Sequence, residues 1–225
     1  MNSPVFMENA VFVLTFSVIF VNGWTDAPNA IATCVGTRAL PLKTAVLMAA
    51  LCNCLGVVVM CTWSSAVAFS IEGMIDLGGD AHRAAAALGA ALAAIVIWSC
   101  GAWYFGIPTS ESHGLVAGLA GAAIALRGME GVVWDCWATV IGGLFFSVLL
   151  GFGAGVLACS VLARLFAQAD RRRSRRLFRR AQIASAAGMA FMHGAQDGQK
   201  FLGVLLLGSR MGSQLNGHPV DWLHG

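Results

Sequence analysis

Long apolar runs separated by short polar breaks set the layout of this chain. The first extends from about Val5 to Val35, well beyond the ~20 residues needed to cross a bilayer. Others follow at about Thr44 to Ala68, Ala84 to Phe105, Leu115 to Leu126 (a short one), Ala138 to Leu162 and Ile183 to Leu207. The pattern predicts an all-α, polytopic transmembrane bundle. The third run is rich in Ala and Gly, so it is expected inside the bundle, where small residues let helices approach closely. Between the second and third runs, Glu72 to Asp80 holds three acids, no basic residue and Gly78-Gly79, and reads as a solvated loop. A polar tail, Ser209 to Gly225, follows the last run.

The first run is interrupted by Asn22-Gly23-Trp24-Thr25-Asp26-Ala27-Pro28-Asn29-Ala30. Pro28 removes a backbone donor and pushes Ala27 away from helical angles, and Gly23 loosens the chain further. Asp26 is a carboxylate that hydrocarbon makes costly, and Thr25 and Asn29 bring a hydroxyl and an amide near it. A helix that opens its backbone around one carboxylate and two neutral oxygen donors suggests a cation or proton site. The alternative is a kinked helix end at the interface, with Asp26 in water.

The stretch recurs in the last run as His193-Gly194-Ala195-Gln196-Asp197-Gly198-Gln199-Lys200. Setting Asp26 on Asp197 puts Asn22 on His193, Gly23 on Gly194, Thr25 on Gln196 and Asn29 on Lys200, an offset of 171 residues. Paired broken hydrophobic segments in corresponding positions point to a transporter's binding site. Both stretches resemble the G-A-N-D-x-x-N-A signature of the inorganic phosphate transporter (Pit) family. The second is similar to the H-G-x-N-D-G-Q-K of its bacterial, proton-coupled, low-affinity branch.

Composition fixes the compartment. The chain is 58% hydrophobic and only 11% charged, against roughly 25% charged in a soluble domain. With a mean hydropathy of +0.75 it is an integral membrane protein, with the lipid bilayer as its surroundings. No basic residue precedes the first run, so a cleaved signal peptide is not expected. The seven cysteines are an odd number in or beside apolar runs and read as small hydrophobes. Cys52 and Cys54 point to different faces of a helix, which argues against a metal pair.

Eight of the fourteen basic residues lie between Arg164 and Arg180. A basic run can mark nucleic-acid binding, but between two membrane segments it reads as a cytoplasmic loop, and no nucleic-acid partner is expected. Counting spans back from that loop puts the acidic loop outside, Arg38 and Lys43 inside, and the N-terminus outside, in an inner (cytoplasmic) membrane. The first broken segment then enters from outside and its repeat from inside, so the repeats are inverted, as alternating access requires. The expected organisation is a first transmembrane repeat over 1–167, a basic cytoplasmic loop over 168–181, and the start of a second, inverted repeat over 182–225. By the same offset a second Pro108 to His113 stretch falls near position ~280, so the chain is expected to be truncated.

Pro108-Thr109-Ser110-Glu111-Ser112-His113-Gly114 is the second chemical stretch. Pro near a helix start with Thr and Ser as caps predicts a short re-entrant helix here. Its first turn offers free N–H groups and the positive end of the dipole, which with three hydroxyls suits an oxyanion, or is simply a capped helix. The stretch is similar to the family's P-x-S-x-[ST]-H motif, and that resemblance implies phosphate contact by Thr109, Ser110 and Ser112. Glu111 puts a negative charge where a dianion would sit, so it needs a proton, a metal or a basic partner, or points away.

His113 reads as a buried histidine bonded to a carbonyl, with a proton-relay role left open by its ordinary pKa near 6.5. Glu111 and His193 are the other relay candidates. His193 and Asp197 lie four apart, weak grounds for a metal site, and the metal is unknown. Lys200 replaces the neutral amide of the sodium-type signature. It either takes the place of a sodium ion beside Asp197, contacts phosphate, or snorkels to the interface. The coupling set is thus Thr25, Asp26, Asn29, Gln196, Asp197 and Lys200.

The expected function is secondary active transport of inorganic phosphate, not enzymatic catalysis. The resemblance implies a neutral complex of phosphate with Mg2+ or another divalent cation, carried with protons and without a resident cofactor. Sodium coupling is the alternative. An intramembrane hydrolase using Glu111, His113, His193 and Asp197 lacks H-E-x-x-H or G-x-S-x-G support, and a passive anion channel is a third option. A homodimer remains open.

Overall fold

The structure is a computed structural model that describes residues 4–216. Helix α1 (Pro4–Thr25) and α2 (Ala27–Gly36) form the first segment, joined at Asp26. They are followed by α3 (Leu42–Trp63), α4 (Ala66–Gly73), α5 (Ala81–Phe105), α6 (Glu111–Arg127), a 3₁₀ turn at Gly128–Gly131, α7 (Trp134–Leu165) and α8 (Arg171–Asn216). Among the described residues, four helical segments are long and apolar enough to span a membrane: Phe6–Gly36, Leu42–Trp63, Ala81–Phe105 and Trp134–Leu165. The all-α multi-pass architecture expected from the hydrophobic pattern is therefore present.

The main core lies where α1, α4, α5, α6 and the later half of α8 meet, around Val18, Met74, Leu88, Leu92, Leu119 and Val204. Helix α5 supplies buried Ala84, Ala85, Ala91 and Ala102, as its small-residue content predicts. By contrast α7 buries no residue, and Phe145, Phe146, Leu150 and Phe152 are all exposed. A helix apolar on every face requires lipid or protein around it.

Five local expectations are corrected. The second segment ends at Trp63, and α4 starts a new direction after Ser64 and Ser65. Glu72 is not in a solvated loop: it is buried on α4 and ion-paired to Arg210 Nε at 2.6 Å. Arg210 belongs to what the sequence suggests is a polar tail, yet α8 continues through it and buries Met211. Residues 217–225 of that tail lie outside the described residues. The basic stretch is mostly helix, since α8 begins at Arg171. Finally, the second signature stretch is unbroken: α8 runs straight through His193 to Lys200. The first copy has Pro28 to interrupt the ladder. The second has only Gly194 and Gly198, which a helix tolerates.

One end of the bundle is closed by the acidic loop. Ile75 bridges Val132, Asp76 N–H donates to Gly131 O (2.8 Å), and Asp76 pairs with Arg127. The Gly78 N–H and the Arg127 guanidinium hold the Asp76 carboxyl below its ordinary range. This clasp therefore contributes above the ordinary Asp pKa and is lost as pH falls through the lowered value. At the opposite end, Arg179 Nε donates to Ala39 O at 3.0 Å. The start of α7 thus shares an end with the acidic loop, and the basic stretch shares an end with Arg38.

The repeat is visible as pseudo-twofold contacts. Gly208 packs on Val11. Shifted by 171 residues, Val11 falls on Gln182 and Gly208 on Thr37, and Thr37 Oγ1 donates to Gln182 Oε1 at 2.9 Å. Helix α8 therefore runs antiparallel to α1–α2, as an inverted pair must. Where α3 crosses α8 the backbones touch: a Cβ on Gly194 would meet the Asn53 backbone, and one on Gly56 would meet Phe191 O. Gly194→Ala is expected to destabilise by about 1–3 kcal/mol, read as a lower Tm in detergent. Gly188→Ala on the same helix, with open space around its Cβ, should be neutral. Equal Tm values for both variants would contradict this packing.

Candidate functional site

Asp26 is a single-residue joint, not a wide opening. Its backbone stays near helical angles (φ −101°, ψ −34°), its N–H donates to Asn22 O at 2.9 Å, and its side chain caps nothing. Pro28, lacking an N–H, leaves the Trp24 carbonyl without its helical donor. The half-buried Asp26 carboxyl is thereby left free of local bonds. With Thr25, Asn29, Ser99, Trp103 and Thr109 it lines a cavity of about 240 Å³ between the joint and the start of α6.

Helix α6 begins as expected. Ser110 is its N-cap, accepting from His113 N–H at 3.4 Å, so this hydroxyl is engaged by the helix. Glu111 does not point away: it is 6% exposed, and its Oε1 accepts from Thr25 Oγ1 at 3.3 Å. Its Oε2 makes no close hydrogen bond, although the Ser99 hydroxyl lies beside the carboxyl, and no basic side chain pairs with it among the described residues. Asp26 and Asp197 are both within electrostatic reach of Glu111. His113, expected buried, is exposed.

The second copy supplies the positive charge. Lys200 Nζ donates to Asp197 Oδ1 at 2.8 Å and to Ser112 Oγ at 2.5 Å. It does not snorkel: its side chain is 20% exposed and ties α8 to the first turn of α6. His193 Nδ1 lies 3.3 Å from Asp197 Oδ2, one turn back on the same face. Asp26 lies within electrostatic reach of Asp197, His193 and Lys200. The two signature stretches therefore meet, with Thr25, Asp26, Glu111, Ser112, His193, Asp197 and Lys200 in one cluster. Gln196 is exposed on α8 and joins no hydrogen bond of the cluster. Among the described residues no group of three His, Cys, Asp or Glu side chains forms a metal site.

Two polar residues lie outside the predicted site set, although one of them, Gln199, falls within the second signature stretch. Asn53 of α3 places its amide 3.5 Å from His193 Nδ1. A lone amide in an otherwise apolar run is the signal that marks it. Gln199 is buried and donates to Ser64 O (2.8 Å) and Met60 O (3.3 Å), holding the end of α3 against α8.

The sequence matches the phosphate transporter family over residues 22–220. A probable low-affinity inorganic phosphate transporter of Bacillus subtilis is 32% identical over 88% of this chain and 58% of its own length. A similarly named Mycobacterium tuberculosis protein is 35% identical over 92% of this chain and 48% of its own. The low-affinity inorganic phosphate transporter PitA of Escherichia coli K12 is 34% identical over 87% and 44% respectively. The chain spans about half the length of the curated relatives it matches. Among solved structures, a sodium-dependent phosphate transporter superposes with a TM-score of 0.73 at 21% identity, covering 96% of this chain and 70% of that one. With the family matched across most of its length, the chain belongs to the phosphate transporter family.

Proposed function

We propose that this chain forms the substrate- and ion-binding half of a proton-coupled inorganic phosphate symporter, carrying phosphate as a neutral complex with a divalent cation. The observation that supports the reading most is the double contact of Lys200 with Asp197 and Ser112. A fixed ammonium beside Asp197 supplies the charge that a sodium ion would otherwise bring, and the other end of that contact is a hydroxyl of the anion-binding stretch. The first copy has no such ammonium. Asp26, and Glu111, whose Oε2 makes no close hydrogen bond, would take up the coupling protons, since ionised carboxylates at membrane depth need compensation. Thr109, Ser112 and the first-turn N–H groups of α6 would hold the phosphoryl oxygens, with Ser110 fixing that turn.

A divalent cation entering with phosphate cancels the dianion's charge before it meets low dielectric. The metal is cargo in this reading. Protein and lipid surround the path, with the basic end cytoplasmic and the N-terminus outside, in a bacterial inner membrane. Sodium coupling is the second reading, favoured by the oxygen donors Thr25, Asp26 and Asn29 around one cavity. The inverted pair suits two-sided access better than a one-sided hydrolytic cleft.

Ser112→Ala removes one donor from the anion site while leaving the Ser110 cap in place. If Ser112 contacts phosphate, apparent affinity should fall by roughly tenfold, about 1.5 kcal/mol for a hydrogen bond to a charged group. The measurement is the substrate dependence of phosphate uptake by the full-length protein. An unchanged half-saturation concentration would return this stretch to a helix cap alone.

A further inference from the structure

The turn that closes α2 carries an unusual residue. Arg38 sits at φ +57°, the one non-glycine residue with positive φ among the described residues. Its N–H donates to Val35 O and the Ala39 N–H to Cys34 O, both at 2.9 Å, which makes Arg38 the C′ residue of a Schellman closure. Glycine is favoured there, because a side chain crowds the backbone at that angle. An arginine held in that position, against its local preference, points to use of its side chain.

Opposite the turn, the early turns of α8 bring Arg175, Arg176 and Arg179. With Arg38 they line a cavity of about 460 Å³. The walls are tied together: Gln182 Nε2 donates to Thr33 O (3.0 Å), and Arg179 is fixed on Ala39 O. None of these four arginines forms an ion pair with a carboxylate among the described residues. A second, apolar cavity of about 720 Å³ adjoins the first through Arg175 and Phe178, and is lined by Leu162 and Phe166 at the end of α7. The Phe166 and Phe178 rings meet at 4.8 Å and pin α7 to α8 there. Both cavities lie just past the ends of two candidate spans, at Gly36 and Leu165, and on that ground we place them at headgroup depth.

We propose that this pocket binds an anionic phospholipid, with its phosphoryl headgroup on Arg38, Arg175 and Arg176 and an acyl chain along Leu162, Phe166 and Phe178. Guanidinium groups match phosphoryl oxygens in paired hydrogen bonds, and an anion relieves the mutual repulsion of the cluster. The apolar groove beside the charges selects an amphiphile over a free ion. The site stands apart from the transport cluster and does not depend on what is transported. It grips the far end of the ten-residue α2, whose other end adjoins Asp26.

The test uses the full-length protein, stripped of lipid in detergent, and follows Tm against added phosphatidylglycerol, phosphatidylcholine or inorganic phosphate. Arg38→Gly is the informative variant, since it deletes a charge while relieving the left-handed backbone. It should fold with an equal or higher Tm in the absence of lipid. In the unmodified protein phosphatidylglycerol is expected to raise Tm more than phosphatidylcholine does. In Arg38→Gly combined with Arg176→Gln, the half-maximal phosphatidylglycerol concentration should rise about tenfold or more. Equal responses to the two lipids, or an unchanged response in the double variant, would overturn the proposal. A shift reproduced in full by inorganic phosphate, and lost in the double variant, would overturn the lipid assignment in favour of a free anion.

Discussion

Lys200→Asn is expected to cut proton-driven phosphate uptake by roughly 30-fold or more. The side chain is mostly buried and donates to Asp197 at 2.8 Å and Ser112 at 2.5 Å, so its removal breaks two charge-assisted contacts at once. Truncating one partner of a buried, hydrogen-bonded charge pair costs about 2–5 kcal/mol, and the lower end already corresponds to that factor. Asp197 would keep only His193, 3.3 Å away, as a positive partner, and only when that ring is protonated. Asparagine also restores the neutral oxygen donor found in the first copy at Asn29. Uptake by this variant should therefore regain part of its rate when sodium is supplied. Wild-type uptake by Lys200→Asn without sodium would remove the lysine from the mechanism.

Asp26→Asn and Asp197→Asn should each abolish accumulation while leaving membrane insertion intact. The substitutions conserve shape, and Asp26 caps no helix, so Asp26→Asn should fold normally, whereas Asp197→Asn also breaks the pair with Lys200 and is compared at matched amounts of inserted protein. Each proton that moves with phosphate couples 1.36 kcal/mol per pH unit, up to about tenfold accumulation. Loss of the coupling group should bring the ratio of internal to external phosphate to about one, whatever the imposed gradient. The observable is the steady-state ratio in vesicles with matched amounts of inserted protein. Normal accumulation by both variants would contradict a coupling role for either carboxylate.

Much of this architecture was legible in the sequence because membrane helices obey few rules. Apolar runs gave the spans, the arginine-rich stretch gave the parity, and the recurrence of Asp26 at Asp197 gave the inverted pair now seen as mirrored contacts around Val11 and Thr37. The start of α6 was legible too, since Pro108 and Ser110 are helix-start chemistry. What escaped was set by tertiary proximity. Glu72 reads as a loop acid until Arg210, 138 positions later, is brought beside it. Lys200 has three readings in sequence, and only the arrival of Ser112 from α6 removes the snorkelling one. Asn53 belongs to no motif and matters because α3 and α8 cross at glycines close enough for its amide to reach His193. The continuity of α8 follows from the absence of proline, a difference between the copies that the shared signature conceals.

Lys200 as a built-in replacement for a coupling sodium ion is tested most directly by radiolabelled phosphate uptake into proteoliposomes holding the full-length protein. Inside-alkaline pH gradients and inward sodium gradients are imposed separately, with and without magnesium. The account predicts uptake driven by the pH gradient, unchanged when choline replaces sodium, and enhanced by the divalent ion. Strict dependence on the sodium gradient, with no response to pH, would contradict it.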